Sequence, residues 1–280
     1  MSIDISRNGS RDLADDRAEV VRLAARFGLH GPLRPTLVFF GGYKGSRPRG
    51  GPGVSREESR EDGTAGRTPS SEALQAIGPL FAQPGRVLQY DPVRVPAEES
   101  SVTLRTALAE FGAACGDFDP RAPLVVFGYS SGAYNALGFC LQLARHYGWY
   151  SFRRGRPGAL AGPPTEADRR EGGALRVDLL VTVDASIASW ERWRRNQVCM
   201  PLPDAPRPLV RRHLNYFQAT AGEDFHGHEM RHADNRRQQV WLVVPPRPDP
   251  ITHATAPTAV SDTVRREVRQ VLSAPASGGF

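Results

Sequence analysis

The residues with the clearest chemical content are Gly128-Tyr129-Ser130-Ser131-Gly132. A serine flanked by glycine two positions away on either side suits a hydroxyl held on a tight strand-to-helix turn. There the two backbones approach too closely for side chains. The context agrees with that reading. Leu124-Val125-Val126-Phe127 is a β-rich apolar run ending at the first glycine. Beyond the turn, Ala133, Ala136, Leu137, Cys140, Leu141 and Ala144 keep helical spacing to about Tyr147. A hydroxyl raised above a sheet in this way is placed for nucleophilic attack. Ser131 is adjacent, but only Ser130 has glycine at both two-residue offsets.

The elements that must position Ser130 alternate along the chain. Residues 12–27 read as an amphipathic helix, with Val20, Leu23, Ala24 and Phe27 on one face and Gly28 as a stop. Pro35-Thr36-Leu37-Val38-Phe39-Phe40, ended by Gly41-Gly42, reads as a buried parallel strand. A helix is expected over 72–81, a strand at 87–90, and a second amphipathic helix over 101–114. After the serine turn, residues 177–183 form an apolar run continuous enough to be buried on both faces, and 240–244 reads as the last strand. The closing helix carries Val260, Val264, Val268 and Val271. Alternating strands and helices predict an α/β fold: a mostly parallel central sheet flanked by helices, in one domain over 1–280. In such sheets sites lie at the carboxyl ends of the strands. Two stretches rich in Gly, Pro and Arg, 44–71 and 153–173, read as flexible loops. The polar stretch 189–237 reads as a cap or lid insertion, in which Trp190, Trp193, Tyr216 and Phe217 read as ordinary cap core or, alternatively, as the lining of an acyl pocket.

Composition narrows the class. The chain has 280 residues, a formal net charge of +6 and 40% hydrophobic residues, with the shortfall in apolar content concentrated in the polar stretches. Its arginines are spread over loops and helix faces, not interleaved with aromatics on one surface, so no nucleic-acid partner is expected. No apolar run reaches the roughly 18 residues of a membrane-spanning helix. The start Met1-Ser2-Ile3-Asp4 is polar and acidic, unlike a secretory signal, and the expected location is cytoplasmic. Cys115, Cys140 and Cys199 are odd in number and unpaired in spacing, which fits a reducing compartment better than a disulfide framework or a zinc knuckle.

The serine turn and the order of strands and helices from Thr36 to the final helix resemble the α/β-hydrolase-fold serine hydrolases of the lipase, esterase and thioesterase group. The turn carries the specificity of that resemblance. The resemblance implies a Ser-acid-His triad in that chain order, each member on a loop after a strand. It makes Ser130 the nucleophile and Asp184, at the end of the 177–183 strand, the orienting acid. It makes His253 the base, the only histidine after the last expected strand. Asp249, between Pro248 and Pro250, is the rival acid, although proline on both sides suits a turn better. The implied oxyanion donors are the backbone N–H of Ser131 and one from the Gly41-Gly42-Tyr43 turn, either Gly42 or Tyr43.

The implied reaction is hydrolysis of a carboxylic ester or thioester from a small-molecule or lipid acyl substrate, with no cofactor. Acyl transfer on the same triad, or a non-catalytic binding protein built on the same fold, are the alternatives. His226, His228 and His232 form an HxHxxxH cluster beside Glu229. Gly227 disfavours a helix there and the spacing is not a recognised ligand set, so no metal is expected.

Overall fold

The computed structural model describes residues 33–42, 69–82, 85–90, 121–146, 149–151, 158–160, 164–185, 209–218, 229–231, 233–238, 240–242 and 248–273, with the single positions 26, 205 and 227. The expected helices at 12–27 and 101–114 lie outside those residues. In chain order the elements are β1 (Thr36–Phe40), α1 (Pro69–Ile77) with a 3-10 turn at Gly78–Phe81, β2 (Arg86–Tyr90), β3 (Leu124–Tyr129) and α2 (Ser131–His146). Next come β4 (Trp149–Ser151), β5 (Gly158–Leu160), α3 (Glu166–Arg170), β6 (Gly172–Ala174), β7 (Leu179–Val183) and β8 (His213–Gln218). The last are β9 (Asp234–Gln238), β10 (Val240–Leu242), β11 (Pro248–Pro250) and α4 (Ala256–Ser273).

Six strands form one sheet in the order β2-β1-β3-β7-β8-β9, and every neighbouring pair is parallel. Because successive side chains point to opposite faces, each inner strand contributes to two cores. Val38, Phe40, Leu124, Val126 and Leu180 pack on one side with Ala133, Leu137, Phe139 and Cys140 of α2. Leu37, Phe39, Val125, Phe127, Val181, Leu214 and Tyr216 pack on the other with Ile77 of α1 and Val260, Val264 and Val268 of α4. This explains why the strand sequences are apolar at nearly every position rather than at alternate ones. Burial of Cys140 in that core pushes its thiol well above the ordinary range, leaving it inert. The layered parallel α/β sheet is the expected architecture and fits an α/β-hydrolase-like fold.

Several boundaries differ from the sequence reading. The stretch 189–237 is not a continuous cap, because β8 and β9 within it belong to the central sheet. Strand β8 hides three buried polar residues, His213, Asn215 and Gln218. They are tolerable because they find partners. Thr182 Oγ1 lies 2.8 Å from His213 Nε2 and donates to Asn215 Oδ1 at 2.9 Å. Asn215 Nδ2 in turn donates to Asn235 Oδ1 at 2.8 Å. Tyr216 is core rather than acyl-site lining: it is 1% exposed and its hydroxyl accepts from Arg236. Phe217 is likewise buried in β8, while Trp190 and Trp193 lie outside the described residues.

The last strand of the sheet is β9, whose Asp-Asn-Arg-Arg-Gln sequence suits an edge strand with a solvated flank. The apolar run expected to be last, β10, instead pairs antiparallel with β11 in a separate two-stranded sheet. Nor is 153–173 a featureless loop. It contributes β5 and the start of β6 to a small antiparallel sheet with β4, and between them holds α3, which opens on a capping box between Thr165 and Asp168. The expected loop 44–71 ends early, because α1 begins at Pro69, a residue favoured in the first turn of a helix. Among the described residues no helix is long and apolar enough to cross a membrane.

Candidate active site

Ser130 follows the last residue of β3 and precedes the first of α2, so the chain reverses direction around it. A side chain at Gly128 would put its Cβ 2.6 Å from Ala133 Cα, and one at Gly132 would put it 2.2 Å from the Gly41 carbonyl oxygen. Both glycines of the motif are thus fixed by close backbone approach. Ser130 itself has φ 56°, a left-handed conformation that costs a non-glycine residue about 1–3 kcal/mol. Its amide donates to the Val183 carbonyl at 3.0 Å, which ties the turn to the end of β7.

Asp184 is the next residue after Val183 and is the other non-glycine with positive φ, 43°, among the described residues. Strain in the left-handed region therefore falls on the two positions that sequence reasoning had selected for chemistry. Aspartate tolerates this region better than most residues. The Asp184 amide donates to the Tyr216 carbonyl at 2.7 Å, so the strained turn is pinned to β8.

His253 lies between β11 and α4. Its Nδ1 is 2.6 Å from Asp184 Oδ2 and its Nε2 is 2.9 Å from Ser130 Oγ. With an acceptor-only carboxylate at Nδ1, the ring proton sits there, and Nε2 is left to accept from the Ser130 hydroxyl. Ser130, Asp184 and His253, from three separate loops, are thus brought together in the order required of a proton relay. Asp249 lies in β11, opposite Trp241, and the histidine faces Asp184. The Ser131 Oγ is buried and has no hydrogen-bond partner among the described residues, and the imidazole Nε2 meets Ser130 Oγ.

The surroundings hold this arrangement stiffly. Asp184 is fully buried. Its Oδ1 accepts from the amides of Gln218 at 3.1 Å and Gly227 at 2.5 Å, and its Oδ2 also accepts from Gln218 Nε2 at 3.2 Å. Donors of this kind fix the plane of the carboxylate. Tyr129, within the serine turn, lies beneath the imidazole with ring centroids 5.2 Å apart, and its hydroxyl donates to the His253 carbonyl at 2.8 Å. One side chain therefore steadies both the ring and the backbone of His253.

Sequence reasoning did not find Gln218, Gly227 or the role of Tyr129. Gln218 ends a strand that its polar residues disguised, and Gly227 sits in a histidine-rich tract that suggested metal. His226, His228 and His232 lie outside the described residues. At Gly227 an added Cβ would stand 2.7 Å from Phe217 Cβ and 2.8 Å from Asp184 Oδ1. Gly227→Ala is therefore expected to cost about 1–3 kcal/mol by overpacking, with a loss of activity larger than the loss of stability. Urea denaturation alongside a rate assay checks this; wild-type behaviour in both would contradict it.

The oxyanion donors are less complete. Ser131 is the first residue of α2, where helix geometry leaves the amide without an intrahelical acceptor. The Gly42 amide, however, donates to Ser70 Oγ at 2.8 Å, and Tyr43 lies outside the described residues.

Comparison with known proteins adds little. No family model matches the chain, and no curated protein matches its sequence. Among solved structures, an iodinated complex of an acetyl xylan esterase is similar over 86% of this chain and 100% of its own. The identity there is 12% and the TM-score 0.33. The functional reading therefore stands on the geometry of the site.

Proposed function

We propose that this chain is a serine hydrolase that cleaves a carboxylic ester or thioester of a small-molecule or lipid acyl group through an acyl-serine intermediate. The observation that carries the reading is the unbroken relay from Ser130 Oγ through His253 to Asp184, with the nucleophile held on a strained turn. A buried structural histidine needs neither a serine at positive φ on one nitrogen nor a fully buried carboxylate on the other.

The steps follow from the relay. As Ser130 Oγ bonds to the acyl carbon, its proton passes to His253 Nε2, and the carbonyl π pair moves to oxygen. Asp184 keeps the imidazole in the correct tautomer and stabilises its charged form. When the tetrahedral species collapses, the bond to the leaving alcohol or thiol breaks, and that group takes the proton from Nε2. Water then repeats the sequence on the acyl-serine, releasing the acid and restoring the hydroxyl. No metal or organic cofactor enters these steps.

Assay against p-nitrophenyl esters of graded acyl length tests the proposal. Turnover above the buffer rate is expected for at least one member, with a burst of nitrophenol if deacylation is slower than acylation. No turnover of any member, together with no covalent capture of Ser130 by a fluorophosphonate, would remove the hydrolase reading.

A further inference from the structure

The amide sequence reasoning nominated as a possible oxyanion donor, that of Gly42, is engaged by a side chain from elsewhere in the chain. Ser70 lies in the first turn of α1, is 1% exposed, and accepts the Gly42 N–H on its Oγ at 2.8 Å. A hydroxyl that accepts one hydrogen bond retains its own proton to give. Among the described residues nothing accepts the proton of Ser70.

The packing around Gly42 brings that hydroxyl close to the serine turn. A Cβ at Gly42 would lie 3.2 Å from Ser130 Cβ and 2.7 Å from the Tyr129 ring. The Gly41–Gly42 turn is thus pressed against the nucleophile, and Ser70 is one hydrogen bond beyond it. Its position is not left to a mobile loop. Glu72, in the same turn of α1, accepts from Thr258 Oγ1 of α4, the helix that begins just after His253. Ile77 of α1 packs in the same core cluster as Val260 and Val264 of α4. The helix carrying Ser70 is therefore anchored to the helix that follows the base.

We infer that the Ser70 hydroxyl is the second donor to the oxyanion, held in place by the Gly42 N–H and acting opposite the Ser131 amide. The inference rests on the hydrolase reading above. Accepting from Gly42 polarises the Ser70 O–H and strengthens its donation, as expected for hydrogen bonds in series in a low-dielectric site. The hydroxyl meets the oxygen only when negative charge develops there, so its contribution falls on the transition state more than on substrate binding.

The test compares wild type, Ser130→Ala, Ser70→Ala and Ser70→Thr for ester turnover, inhibition by phenylboronic acid and melting midpoint. Ser70→Ala is expected to lower kcat by about 10²–10³-fold, the range for loss of one oxyanion donor, with KM within about twofold. Boronate inhibition should weaken in parallel, and the melting midpoint should fall modestly because the buried Gly42 N–H loses its acceptor. Ser70→Thr, which keeps a hydroxyl, should recover much of the rate. Full kcat in Ser70→Ala, or a lowered kcat with boronate affinity intact, overturns the assignment while leaving the hydrolase reading in place. A wild-type chain that neither turns over esters nor loses anything on Ser130→Ala overturns both.

Discussion

Ser130→Ala is expected to lower ester turnover by at least about 10⁴-fold, with the fold intact. Loss of a serine nucleophile elsewhere costs about 10⁶-fold, the remainder of catalysis coming from oxyanion stabilisation and binding. The fold should survive because the substitution removes one partly reachable oxygen from a side chain whose backbone is pinned independently. The Ser130 amide is held by Val183, and the glycines on either side are fixed by contact with Ala133 and Gly41. Alanine adopts the left-handed turn at a cost close to that of serine. Circular dichroism and melting should therefore match wild type while the rate of p-nitrophenyl ester hydrolysis falls to near background. A variant that keeps wild-type turnover would remove Ser130 from the chemistry.

The second large effect is expected at Asp184. Its two oxygens receive four donors, from Gln218 N, Gly227 N, Gln218 Nε2 and His253 Nδ1. Asp184→Asn keeps the shape and replaces one acceptor by a donor. If the new NH2 group sat at the Oδ1 position it would face two backbone N–H groups that cannot turn away. It is therefore driven to the Oδ2 position. There Gln218 relieves the clash by flipping its amide, and His253 relieves it by moving its proton to Nε2. The imidazole then donates toward Ser130 instead of accepting, and the base is lost. In comparable serine–histidine–aspartate sites this exchange lowers kcat about 10⁴-fold with little change in geometry. Here the same order of loss is expected in kcat, with a small shift in KM. A drop of less than about tenfold would show that Asp184 does not set the tautomer.

The parts legible in the sequence were those in which local pattern and tertiary role coincide. Strands β1, β3 and β7 are buried on both faces, so they read as unbroken apolar runs, and the serine turn and Asp184 stand at their ends. His253 was reachable by order along the chain, although the strand expected before it belongs to a separate hairpin. The parts that could not be read are those in which tertiary partners override composition. His213, Asn215 and Gln218 make β8 look like surface, and only Thr182 and Asn235, contributed by its neighbours β7 and β9, together with Asp184, make their burial tolerable. Gln218 and Gly227 act on Asp184 across separations of 34 and 43 residues. No local pattern encodes such a contact. Ser70 is similar: in sequence it closes a polar loop, and only the fold brings it to Gly42.

The central claim is that one hydroxyl in this chain, that of Ser130, is made nucleophilic by His253. The most direct measurement is covalent trapping with a fluorophosphonate, followed by intact-mass and peptide mass spectrometry on wild type, Ser130→Ala and His253→Ala. The account predicts a single adduct mapped to Ser130 in wild type, none in Ser130→Ala, and labelling slowed by orders of magnitude in His253→Ala. An unlabelled wild-type chain, an adduct on another residue, or labelling that proceeds equally well without the imidazole would contradict it.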